Sequence, residues 1–218
     1  QGAELANAQS IFRDLCAALK VKPPKLKGAG DNNYCFEADV LDGKKARRMD
    51  VYLRGHFIFE AKQGADPGAK GAPKGPKGVG TRGTDSWRSN MAAGRLQVGR
   101  YAAAATRRGD PKPPIIMLAD LGYGIWIWSS WTKDAVDDYG DFEDGARFAW
   151  DDLTKPELFR YLRLAFDKPE ELNDEARGQR VTAEIAKKIS ELAVVLEKRE
   201  KSEVVGNFLM KCVFTMFA

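Results

Sequence analysis

Apolar residues recur along this chain with two periods, and the switches between them predict its elements. Leu5, Ile11, Phe12, Leu15, Cys16 and Leu19 fall at three-and-four spacing, so residues 3–20 read as a helix that stops before Pro23-Pro24. Residues 34–40, 47–53 and 57–62 are short apolar or alternating runs and read as strands, the last two joined by Arg54-Gly55-His56. From 63 to 84 glycine, proline and lysine replace any hydrophobic period, which predicts a flexible loop. An alanine-rich helix follows over 86–108, closed by Gly109, and then strands over 115–119 and 125–131. Residues 134–152 read as an acidic loop region, within which Asp137, Asp138, Asp141, Glu143 and Asp144 form a solvated run. Thr154 is expected to cap a helix starting at Pro156, a long amphipathic helix spans 177–199, and a last one begins near Ser202.

The order of helix, three strands, helix, two strands and further helices is that of an α/β core over roughly 3–131 with a helical extension. The expected division is a first domain over 1–152 and a helical connector over 153–218. The last segment, Asn207 to Ala218, is rich in large apolar residues and the chain opens on Gln1, so the sequence reads as a piece of a longer protein whose remainder covers that helix.

Composition narrows the function classes. With 44% hydrophobic and 30% charged residues in 218, the chain can bury a core and is neither disordered nor fibrous. The net charge of +4 is too small to announce nucleic acid by itself, but its distribution is uneven. Between Lys62 and Arg108 the only acids are Asp66 and Asp85. A basic region of this kind suits a phosphate-binding face, with Lys70, Lys74, Lys77, Arg82, Arg88 and Arg95 as candidate DNA contacts. Cys16, Cys35 and Cys212 form no C-x-x-C pair, which argues against structural zinc, and their odd number fits a reducing cytoplasm. No signal peptide or membrane-length apolar run is present. His56 is the only histidine, which nearly excludes Ser–His and histidine-metal chemistry. Trp126, Trp128 and Trp131 can stack on bases, but on an apolar strand they read first as packing residues.

The feature that carries chemistry is Asp50, nine residues, then Glu60-Ala61-Lys62. Phosphodiester hydrolysis needs a cation to offset charge at phosphorus and activate water, and magnesium prefers hard oxygen ligands. Asp50 and Glu60 can supply carboxylates, the carbonyl of Ala61 a third oxygen, and Lys62 a charge that orients water or steadies the phosphate. Glu60 and Lys62 share a strand face. If the connection is symmetric about Gly55, Asp50 lies opposite Glu60 with Cβ atoms about 5 Å apart. A simple two-residue turn would instead pair Asp50 with Phe59 and separate the acids unless a bulge intervened. On spacing alone, a solvated strand face with a Glu–Lys pair fits equally well. Gln97 and Tyr101, four apart on the next helix, can support such a site or be a surface glutamine and a core-edge tyrosine. Glu37 on the neighbouring strand is either a further acid of the site or a surface carboxylate.

Several segments, in order along nearly the whole chain, carry a resemblance: Ser10 to Cys16, Tyr34 to Glu37, Met49 to Tyr52, Arg54 to Lys62, Leu96-Gln97 with Tyr101, Pro113 to Asp120, and Phe208 to Ala218. They resemble the N-terminal region of single-chain Type IIL restriction–modification enzymes, in which a PD-(D/E)XK nuclease and helical connector precede an adenine-specific DNA methyltransferase and a target-recognition domain. The resemblance implies a restriction-endonuclease-like core, a mixed sheet flanked by helices, with a C-terminal helical connector. It also implies Mg2+-dependent cleavage of double-stranded DNA leaving a 5′-phosphate, with Asp50, Glu60 and Lys62 in the metal and catalytic roles. S-adenosylmethionine would serve only the downstream methyltransferase, since no N-P-P-Y or glycine-rich cofactor motif occurs here. Relatives in phage defence carry similar regions. The alternative is a catalytically silent nuclease-like module that binds DNA or docks beside the methyltransferase. The Gly/Lys-rich stretch over 63–84 is longer than the family's usual link.

Overall fold

The computed structural model describes residues 2–28, 32–67, 79–132 and 137–217. They form an α/β structure with one six-stranded mixed sheet and five α-helices. In chain order these are α1 (Gly2–Leu19), β1 (Tyr34–Asp42), β2 (Lys45–Leu53), β3 (Phe57–Lys62), α2 (Asp85–Arg107), β4 (Ile115–Asp120), β5 (Gly124–Ser129), β6 (Ala146–Phe148), α3 (Pro156–Asp167), α4 (Asp174–Leu196) and α5 (Ser202–Phe217). The chain divides into two compact units, Gln1–Pro169 and Glu170–Ala218.

In the first unit the strands lie in sequence order, every neighbouring pair antiparallel except β3 and β4, which run parallel across the α2 connection. A parallel pair needs a crossover of this length. Phe57 through Ala61 on β3 and all of β4 are buried, as expected of central strands covered on both faces. One face is sealed by α2, whose Met91, Val98, Tyr101 and Ala105 join Tyr52, Ile58, Ile116 and Leu118 in a single apolar cluster. On the other, Phe12 of α1 stacks on Phe36, Phe57 and Phe59, and Phe166 of α3 on Phe57. Burying one such aromatic ring contributes roughly 1.5–3 kcal/mol. Because α3 packs here, the first compact unit runs on to Pro169, past the 152 boundary read from sequence.

Three details differ from the sequence reading. The acidic region holds a sixth strand, β6, which forms because Ala146, Arg147 and Phe148 pair with the free edge of β5. Arg147 also lies over the rings of Tyr123 and Trp126. Thr154 is not the cap of α3: its hydroxyl donates to the Asp151 carbonyl, and Lys155 precedes Pro156 at the helix start. The 63–84 stretch is held at both ends by main-chain bonds from Ala65 to Gly80, Val79 to Gln63 and Arg82 to Ala65. Its centre, with Lys70, Lys74 and Lys77, lies outside the described residues. Trp126 and Trp128 are buried in the core, the packing role expected of them.

The second unit is a helical pair. Asn173 caps α4 by accepting from the Ala176 N–H at 3.1 Å. Val181, Leu192, Val194 and Val195 of α4, and Val204, Phe208, Met210 and Phe214 of α5, are exposed. Among the described residues no helix is long and apolar enough to cross a membrane.

Candidate active site

The connection between β2 and β3 decides whether the two acids meet. Leu53 pairs with Phe57, so Arg54, Gly55 and His56 form an odd-length turn, with Gly55 at φ +73° where a side chain is disfavoured. The register continues to Val51 opposite Phe59 and ends there, one residue short of Asp50 on β2 and of Glu60 on β3. Asp50 Oδ2 accepts the Ala61 N–H at 2.7 Å, tying the carboxylate of β2 to the main chain of β3 between Glu60 and Lys62.

Glu60 is only 4% exposed. Its Oε1 accepts from Lys62 Nζ at 2.9 Å and from Gln97 Nε2 at 2.7 Å. The Gln97 carbonyl oxygen in turn accepts from Lys62 Nζ at 3.2 Å, and its Nε2 donates to the Tyr101 hydroxyl at 2.7 Å. Gln97 and Tyr101 share a face of α2, one turn apart, so the helix presents both to the strand end. Glu60 Oε2 is buried and receives no hydrogen bond from any described residue. Buried polar atoms are nearly always partnered, so this one is a marker.

Gly94 makes the close approach possible. A Cβ there would meet Leu118 Cδ1 at 3.2 Å and Lys62 Cε at 3.4 Å. Mid-helix glycine is otherwise unfavourable by about 1 kcal/mol relative to alanine.

Burial raises the proton affinity of Glu60, and Lys62, the main chain at Asp50 and Gln97 pull it back without cancelling that. Burial loosens the proton on Lys62, but the charge and hydrogen bond of Glu60 more than offset this and hold it on more firmly than usual. Tyr101 is raised by burial and by the Glu60 charge, against Gln97, Lys62 and Arg47. Lys62 is therefore an ammonium, and Tyr101 a neutral phenol, at neutral pH.

The candidate DNA contacts divide. Arg88 is exposed on α2. Arg82 and Arg95 are not surface cations, a correction to the sequence reading. Arg82 is clamped on Asp120, with Nε and Nη2 each 2.9 Å from a carboxylate oxygen, and donates also to Asp66 and the Leu121 carbonyl. Arg95 is 3% exposed and paired with Asp137 at 3.0 Å. Arg82, just before α2, and Arg95, in its middle, are both buried and each has a carboxylate partner; a count of charges along the sequence cannot see this.

Glu37 is held by Gln9 Nε2 at 3.2 Å and Arg48 Nη1 at 3.0 Å. Its φ of +54° is strained for a non-glycine residue. The strain has a visible cause. Cys35 and Ala38, three apart, belong to the same apolar cluster, so strand alternation breaks at Glu37, and it breaks again between Met49 and Tyr52 around Asp50. Among the described residues no group of three or more His, Cys, Asp or Glu side chains can hold a metal ion. A cation at Asp50 and Glu60 would thus have two carboxylates completed by main chain and solvent.

Sequence patterning does not single out the run Lys44-Lys45-Ala46-Arg47-Arg48, whose residues are all exposed. Four cations in five residues, on a segment that pairs as a strand, is the signal that could have found it.

An α/β domain in which a buried carboxylate, a lysine and a glutamine converge at the end of a central strand is the class that fold and site define. The chain belongs to the family described as MmeI, N-terminal domain, whose family model matches residues 1–199. This agrees with its resemblance to the N-terminal region of Type IIL enzymes. No curated protein and no solved structure matches it.

Proposed function

We propose that this chain is the magnesium-dependent endonuclease domain of a restriction–modification or phage-defence enzyme, of the PD-(D/E)XK type, hydrolysing phosphodiester bonds of double-stranded DNA. The observation that carries the reading is the buried Oε2 of Glu60, which receives no hydrogen bond from the described residues, next in sequence to Ala61, whose N–H donates to the Asp50 carboxylate. The succession of α1, three antiparallel strands, α2 and a parallel β4 supports it as a frame that carries Asp50 and Glu60 on neighbouring strands. The residue types suit a hard divalent cation: carboxylate oxygens of Asp50 and Glu60 and the Ala61 carbonyl. Bound there, such a cation supplies charge compensation at phosphorus and a more acidic water. The protein's own groups do the rest. Lys62, kept protonated by Glu60, holds a positive charge where the phosphate gains negative charge, a better role for it than that of base. Gln97 fixes Lys62 and Glu60 relative to each other, and Tyr101 fixes Gln97.

The test is plasmid cleavage, with magnesium and S-adenosylmethionine, by the full polypeptide that carries this domain, beside its Asp50→Ala and Lys62→Ala variants. Cutting by the parent and none by either variant supports the nuclease. Full activity in Lys62→Ala overturns it. If neither parent nor variants cut while all methylate DNA, the domain is a docking or DNA-binding module.

A further inference from the structure

The ladder between β2 and β3 ends at Val51 opposite Phe59, whereas β1 and β2 remain paired out to Asp42 opposite Lys45. From Asp50 to the turn at Gly43 the hairpin therefore runs on as a two-stranded ribbon beside the candidate active site. Its cations are unbalanced. Of the ribbon's two acids toward the tip, Asp39 pairs with Lys27 and Asp42 with Arg100 at 3.3 Å, both partners lying off the ribbon. Arg48 pairs with Glu37. Lys44, Lys45 and Arg47 are exposed and make no ion pair among the described residues. Arg47 stands opposite Val40, which is buried under α2, so it shares the face on which Tyr101, Gln97 and Glu60 lie. The Arg100–Asp42 pair anchors the tip to the same helix.

We propose that Lys44, Lys45 and Arg47 form a phosphate-binding ribbon that holds the backbone of a DNA duplex against the Asp50–Glu60 site. Charge complementarity selects the occupant, and the dimensions fit. A two-stranded ribbon is narrow enough to follow a groove. From Lys44 to Asp50 it spans about 20 Å at roughly 3.4 Å per residue, the rise of about six base pairs. The electrostatic effect of Arg47 on Tyr101 is consistent with that side of the ribbon facing the site. The proposal rests on the nuclease reading for its substrate, but it fails or stands separately.

The test is fluorescence anisotropy of this chain with a short labelled duplex, calcium replacing magnesium, between 50 and 200 mM salt. The variants are Lys44→Ala/Lys45→Ala/Arg47→Ala and a control, Lys187→Ala/Lys188→Ala, taken from exposed α4 positions paired with Glu191 and Glu184. Each phosphate left without its cation lowers the salt slope by about 0.9, so the triple variant should give up about 2.7 of it. Its affinity deficit relative to wild type should then shrink about 40-fold across that salt range. The control should match wild type, and all should melt alike. A triple variant with wild-type affinity and slope overturns the proposal, leaving the cations as guards of a sheet edge. So does a wild-type chain that binds no duplex. Neither result touches the nuclease reading, which stands or falls on the loss of cleavage in Asp50→Ala.

Discussion

Two buried carboxylates lie on adjacent strands two rungs apart, Glu60 opposite Leu118 and Asp120 opposite Lys62, and they are treated in opposite ways. Asp120 is fully buried and saturated. Its Oδ1 accepts from the Gly64 N–H at 2.8 Å and Arg82 Nη2 at 2.9 Å, and its Oδ2 from Arg82 Nε and the Trp87 indole, each at 2.9 Å. Glu60 has two donors on one oxygen and none on the other. A buried charge matched on every lone pair is a structural rivet. One left half-matched is destabilising unless something else binds it, so it points to use. Both would be counted as buried acids with a cation beside them; only the accounting of individual oxygens separates them.

The largest effect should come from breaking the rivet. Asp120→Ala leaves Arg82 buried without its partner and frees the Trp87 and Gly64 donors, which costs roughly 3–5 kcal/mol. Urea unfolding should show that loss equally with and without magnesium. Next, Glu60→Gln should lower cleavage by about 100-fold or more, on the scale of removing a preorganised charged group, or roughly 3 kcal/mol of barrier. It should cost less stability than Asp120→Ala, because relief of the buried carboxylate offsets the loss of the Lys62 counter-charge. A loss of folding as large as that of Asp120→Ala would make Glu60 structural instead. Third, magnesium at about 100 times its Kd should stabilise wild type by roughly 2.7 kcal/mol, and Asp50→Ala or Glu60→Gln not at all. Equal stabilisation of all three would place the cation elsewhere.

Smaller still is a pH effect in chelator. Glu60 is raised by burial, so the folded state holds its proton to higher pH than the unfolded chain does. Below the ordinary carboxylate range both states are protonated and nothing is lost. As pH rises from that range through the raised value, wild type should lose stability relative to Glu60→Gln, and the gap should then level off. A gap that stays flat across the acid range would mean that Glu60 titrates normally.

Much of this is legible in the sequence, and what is not has physical causes. The Asp50, Glu60 and Lys62 spacing can be read because strand periodicity sets which residues share a face. The odd-length turn that sets Val51 opposite Phe59, one residue before each acid, can only be posed as a condition, since Arg54-Gly55-His56 admits more than one turn. β6 is invisible because three residues have no period; its strand exists through pairing with β5 alone. Arg82 and Arg95 read as DNA contacts because burial depends on tertiary partners, Asp120 and Asp137, that lie 38 and 42 residues away. The basic ribbon escapes notice for a related reason. Lys44 to Arg48 reads as an ordinary strand edge until the register shows that β3 stops short of it.

Two glycines offer the finest comparison of rivet and site. A Cβ on Gly64 would sit 2.5 Å from Asp120 Oδ2 and 3.1 Å from Arg82, against groups that cannot move without breaking their own bonds. Gly64→Ala should therefore destabilise by roughly 1–3 kcal/mol, the usual range for overpacking. A Cβ on Gly94 meets only the ends of two flexible chains, Leu118 and Lys62, at 3.2–3.4 Å. Alanine there gains up to about 1 kcal/mol of helix propensity and loses a similar amount to crowding. Thermal unfolding should thus change little, while Lys62 is pushed away from Glu60 and Gln97 and cleavage falls several-fold with substrate affinity unchanged. If Gly94→Ala cuts at the wild-type rate, the position of Lys62 is not limiting, and its role reduces to that of a neighbouring charge.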